Sequence, residues 1–197
     1  MIEAYQTTAQ ALYWGYGTKL VDLGPDVSAV PIPSQVSLRQ QPVLGSAFPR
    51  LSVGRVDYRV QIPRLLIGDA SDLVRANPEG TVAVIQSDSE TALLMPAAVS
   101  GIPEQAQSAG EIVGNVTIQP QGQVWRCKAT QASGGNVTVG NSSQVFVVIV
   151  SGSGTVTRGS TSAGGGPRIA SLGTTGTTVT VPAGTTAWVL EAAKAGV

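Results

Sequence analysis

Histidine is absent from the 197 residues, and cysteine occurs once, as Cys127. Histidine is the usual general base at neutral pH and the commonest metal ligand. Its absence excludes Ser-His-Asp and Cys-His arrangements and an HExxH zinc site together. One cysteine excludes an intrachain disulfide. Charge is scarce: 12 Lys and Arg balance 12 Asp and Glu, so no bulk charge favours nucleic acid or a membrane surface. No run of about 18 apolar residues exists to form a membrane-spanning helix. Residues 1–6 have neither a basic n-region nor an apolar h-region, so no secretory signal is expected. Phosphate loops of the GxxxxGK[ST] form and DxDxDG calcium loops are also missing.

What is present is Gly, Thr, Val and Pro patterned as short strands, the composition of a structural or binding protein rather than an enzyme. No cofactor or metal is expected. The close carboxylate pairs have plainer readings than glycoside hydrolysis. Asp69 and Asp72 suit the start of a helix, and Asp88 and Glu90 suit a solvated hairpin tip. Cys127 lies between Arg126 and Lys128, which favour a thiolate, but a half-buried strand cysteine is the preferred identity. Asn-x-Ser/Thr triplets at Asn115, Asn136 and Asn141 arise easily in such sequence.

Charge shifts along the chain. Residues 1–129 hold 20 charged side chains, and residues 130–197 hold four, namely Arg158, Arg168, Glu191 and Lys194. Gln131-Ala132-Ser133-Gly134-Gly135 has linker composition at that shift. Two domains are therefore expected, 1–131 and 132–197, the first opening with an extended arm over residues 1–50. The arm carries Tyr5, Tyr13, Trp14 and Tyr16. These are candidates for contact with another subunit, the alternative being that they fill the chain's own core. Pro25, Pro31, Pro33, Pro42 and Pro49 make residues 24–50 loop-like.

Alternation predicts a strand over 53–62, interrupted near Pro63. Asp69 to Asn77-Pro78 predicts the one helix. Strands are predicted over 80–86 and 92–95, joined at 87–90, and over 112–120. The second unit gives strands near 136–139, 144–151, 154–157, 168–172, 177–181 and 186–191. It reads as a small antiparallel sandwich with Phe146, Val148, Ile169, Leu172, Val179, Val181, Trp188 and Leu190 in its core. The fold class is mainly β.

The feature order over 51–126 resembles the tail tube (major tail) proteins of long-tailed bacteriophages. The stretches that carry the resemblance are Val56-Asp57-Tyr58-Arg59-Val60-Gln61-Ile62, the helix at 69–77, Glu79-Gly80-Thr81-Val82-Ala83-Val84-Ile85, Ser100-Gly101-Ile102-Pro103-Glu104, and the strand from Gly114 to Val124. The resemblance implies a tube-like β-sandwich or barrel with one short helix, followed by a small Ig-like β-sandwich on the outside. It implies homo-oligomeric rings, hexameric in that family, that close by pairing of sheet edges and stack with other tail proteins in a virion assembled in the host cytoplasm. DNA would pass through the lumen without specific binding. Asp57, Asp88, Glu90, Glu104 and Glu111 are then lumen-facing candidates, since carboxylates repel phosphate. Val116 is a candidate at the subunit interface. On this reading a chain lacking 132–197 still assembles. Two alternatives stand beside it: a capsid decoration protein, and a carbohydrate- or receptor-binding module using Trp125 or Trp188, of which Trp188 reads rather as core.

Overall fold

The computed structural model describes residues 9–24, 34–41, 50–58, 60–66, 69–86, 90–99, 104–106 and 112–192. It is mainly β with a single short helix among these residues. The strands in chain order are β1 (Ala9–Tyr16), β2 (Lys19–Asp22), β3 (Ser34–Gln41), β4 (Arg50–Tyr58) and β5 (Val60–Leu66). After the helix α1 (Asp69–Ala76) come β6 (Glu79–Gln86), β7 (Thr91–Val99), β8 (Glu104–Ala106), β9 (Ile112–Pro120) and β10 (Trp125–Thr138). The remainder are β11 (Val145–Ser151), β12 (Val156–Arg158), β13 (Thr161–Ala163), β14 (Arg168–Gly173) and β15 (Thr178–Ala192). The main sheet runs β13-β12-β15-β10-β7-β6-β1-β2, with β11 joining β15 to β14 and β9 joining β7 to β5 and β8. Among the described residues β3 and β4 pair only with each other.

α1 is short and ends where its sequence requires. Asp69 and Asp72 occupy the first turn and Arg75 the last, each matching the helix dipole. Asn77 Nδ2 donates to Leu73 O at 2.9 Å, and Pro78 cannot continue the helix. Val74 is buried, and Trp14 Nε1 donates to Asn77 O at 3.2 Å, fastening the helix end to β1.

The central strands are buried on both faces. In β6, Val82 and Val84 enter one hydrophobic cluster with Leu12, Trp14, Leu93, Met95, Val116 and Ile118. Ala83 and Ile85 enter a second with Tyr13, Leu94, Cys127, Val148, Trp188 and Leu190. The same parity splits β15 and β11. Trp188, Leu190 and Val148 face the second cluster. Val189, Ala187, Val145, Val147 and Ile149 face a third, closed by Val156, Leu172, Val179 and Val181. Burial on both faces explains the unbroken apolar runs at 82–85, 92–95 and 187–190. Each larger side chain so buried stabilises the fold by roughly 1.5–3 kcal/mol.

Several expectations are corrected. Residues 9–22 form no arm: β1 pairs with β6 in the main sheet, with Tyr13 opposite Ala83 and Trp14 opposite Val82. Within the loop-like stretch expected over 24–50, residues 34–41 are strand. Gln131–Gly135, expected to be a linker, lies inside β10, which pairs with β7 over 125–128 and with β15 over 127–138. Gly134 and Gly135 have φ of 94° and 95°, where the register shifts, so their glycines mark a bulge rather than a boundary. The strands expected at 177–181 and 186–191 are one strand, β15. The core residues expected for the second unit divide between the second and third clusters, and the second cluster draws on both sides of residue 131.

Candidate functional site: an apolar cleft beside an unpaired strand edge

Three of the sequence-predicted interface residues, Tyr13, Trp14 and Val116, are in the core. Trp14 is fully buried and Tyr13 nearly so, while Tyr16 packs against the first cluster. β1 is covered on both faces, which leaves its rings no outward side. Burial raises the Tyr13 hydroxyl pKa, opposed by its hydrogen bond with Trp188 and reinforced by Asp22. Val116 is buried in the first cluster and stands opposite Ile62 in the β5–β9 ladder. Tyr5, Asp88 and Glu111 lie outside the described residues. Asp57 sits on β4 opposite Gln35 and Glu104 on β8 opposite Gly114. Glu90 is exposed just before β7 and accepts from Ala129 N through its backbone oxygen at 2.7 Å. No group of three or more His, Cys, Asp or Glu placed to hold a metal occurs among the described residues. Cys127 is buried, and burial pushes its thiol up to about 12, so the flanking cations do not activate it.

What the fold leaves open are strand edges. Among the described residues β2 pairs only with β1, β13 only with β12, β14 only with β11, and β5 and β8 only with β9. Unpaired edges present rows of backbone donors and acceptors.

Beside one of these edges lies a cleft of about 200 Å³, lined by Thr81, Leu94, Pro96, Trp125, Phe146, Ile169, Ala170 and Ser171. Two layers form it. β6, β7 and β10 supply one wall, and β11 with β14 the other. The layers approach closely because β1 carries Gly15 under Ile169, where a Cβ would come within 2.9 Å of that side chain. Trp125 and Phe146 meet at 5.5 Å between centroids with planes inclined at 56°, an attractive tilted geometry. No charged residue lines the cleft among the described residues. Ser171 Oγ accepts from Gln144 Nε2 at 2.8 Å and from Gly173 N at 3.3 Å, which leaves its own proton to donate. Sequence reasoning singled out Trp125 but placed Phe146 in a core. The lining comes from five strands, and no local pattern links them.

Comparison with known proteins adds little. No family model matches, and no curated protein matches. Among solved structures, the Dit (gp 19.1) protein of SPP1, described as a paradigm of the hub adsorption apparatus in phages infecting Gram-positive bacteria, aligns over 92% of this chain and 98% of its own. The identity is 12% and the TM-score 0.40, a likeness that establishes neither fold nor function.

Proposed function

We propose that this chain is a structural virion protein, non-enzymatic, that self-assembles through sheet edges into stacked rings forming a phage tail tube for DNA passage. The observation that carries the reading is the combination of central strands buried on both faces with edges at β2, β5, β13 and β14 that are unpaired among the described residues. Faces so used are closed to partners, whereas edges supply the backbone groups by which neighbouring copies pair. The order strand, helix α1, hairpin β6–β7 and strand β9 agrees with the order on which the family resemblance rests. In such a tube, Asp57, Asp88, Glu90, Glu104 and Glu111 remain candidates for the lumen, and virion tail proteins are the further partners.

Negative-stain electron microscopy of concentrated protein, with light scattering, tests the proposal. Rings or hollow tubes are expected. A monodisperse monomer at every concentration refutes self-assembly and turns to the second reading, a receptor-binding or decoration module, which the Trp125 cleft favours.

A further inference from the structure

We infer that the cleft and the free edge of β14 together form a binding site for an extended, uncharged polypeptide segment bearing one aromatic side chain. Ile169, Ala170 and Ser171 belong both to the cleft lining and to β14, which has no ladder partner on its outer side among the described residues. A strand added there lies about 4.8 Å from β14, and its alternate side chains project to the face that Ile169 and Ser171 share. One of them therefore stands at the mouth of the cleft. The volume of about 200 Å³ compares with the roughly 150 Å³ apolar cavity that holds benzene, so one aromatic ring fits. With no charge among the described lining residues, a charged side chain placed against them would lose its hydration without a counter-ion. A sugar would find only two hydroxyls, Thr81 and Ser171, against six apolar residues. An aromatic ring gains the apolar bed and tilted contacts with Trp125 and Phe146, and the free Ser171 proton can reach a backbone carbonyl of the added segment. The inference does not rest on the tube reading, since a chain that binds the segment and forms no rings leaves it intact.

The test uses the full chain, labelled with ¹⁵N, and blocked pentapeptides of the form acetyl-Thr-Val-Trp-Val-Thr-amide. Saturable shifts are expected at residues 168–173 and at the Trp125 indole N–H. Replacing the central Trp by Ala is expected to weaken binding at least about tenfold, as for a buried aromatic anchor. N-methylation of the peptide backbone is expected to weaken it comparably. Thr81→Leu, which fills the cleft from the facing wall, is expected to cost a similar factor with the melting temperature unchanged. Equal binding of the Trp and Ala peptides overturns the inference, as does the absence of shifts at 168–173 with millimolar peptide. Displacement of the peptide by glucose overturns it in favour of a sugar site. The peptide comparison on the unmodified chain decides the matter even where Thr81→Leu fails to fold.

Discussion

Arg158 offers the sharpest test of how the second half of the chain is held. It is fully buried on β12, and all five of its N–H groups are used on backbone oxygens. Nε donates to Gly176 O at 3.0 Å and Nη2 to the same oxygen at 2.9 Å. Nη2 also reaches Gly140 O at 3.1 Å. Nη1 reaches Ser143 O at 2.8 Å, and Gly173 O as well. One guanidinium thus ties the β10–β11 turn to the β14–β15 turn. Burial lowers its pKa and the Glu191 carboxylate opposes the shift; Glu191 itself is occupied in accepting from Gly140 N at 2.8 Å. Arg158→Met keeps the length and strands four carbonyls. Each costs about 1–3 kcal/mol if it stays dry. Gly140 is exposed and the others half-exposed, so water rescues some of them, and a loss of about 3–5 kcal/mol is expected from the carbonyls that stay dry. For a chain of this size that lowers Tm by roughly 6–20 °C. Arg158→Lys, with three donors instead of a planar fork, should fall between. Urea titrations followed by far-UV circular dichroism measure both. A loss under about 1 kcal/mol for Arg158→Met would falsify the staple.

Gly80→Ala places a Cβ 2.5 Å from Gly15 O and 2.8 Å from the Trp14 ring; thermal melts should show about 1–3 kcal/mol of overpacking loss, and an unchanged Tm rejects the close approach. For Cys127 the folded thiol titrates near 12 against an ordinary 9.0. The unfolded chain therefore releases its proton first, and stability should fall by about 1.4 kcal/mol per pH unit as pH rises from 9 towards 12. Comparing urea midpoints of the native chain and Cys127→Ala isolates that slope, and parallel curves refute it. Val116→Pro should destabilise the monomer itself through the β5–β9 ladder and the first cluster, so soluble, folded, non-assembling protein is the result that contradicts this placement. Removal of residues 132–197 should yield a chain that binds hydrophobic dye and lacks a cooperative melt, since Tyr13, Ala83, Ile85 and Leu94 lose Val148, Trp188 and Leu190; cooperative unfolding of the fragment counts against a shared core.

Local chemistry was legible and shared burial was not. α1 could be placed because Asp69, Asp72 and Asn77-Pro78 act within a few residues of one another. β9 alternates in sequence and was placed for the same reason. β1 escaped because Leu12-Tyr13-Trp14 is apolar without alternation, which looks like an adhesive arm until β6 is known to lie beside it. Residues 34–41 lie free of proline between Pro33 and Pro42, and a short ribbon so flanked reads as loop. Gly134 and Gly135 are plain in the sequence, but a bulge and a linker draw on the same residue type, and only the pairing of β10 with β15 tells them apart. The cleft had no signature, because it joins residues from 81 to 171 that meet only once two layers are stacked.

The stacking of those layers also limits how this chain can associate. A sheet with one solvated face keeps that face for partners. Here the alternate residues of β6, β7, β11 and β15 are divided between clusters, so burying another chain against these strands would first require separating layers the monomer has already closed. Among the side chains whose burial is described, Leu73 on α1 is the large apolar one that stands exposed, at 43%. Where the described strands are buried on both faces, the backbone groups left for association among the described residues are those at the unpaired edges of β2, β5, β13 and β14. A two-stranded ribbon such as β3–β4 is at most marginally stable alone in water, so it too gains by acquiring a further strand. If the chain self-associates as proposed, edge pairing leaves the packing of β6, β7, β11 and β15 intact, and self-association is expected to weaken with backbone-blocking substitutions at edges far more than with changes of surface charge.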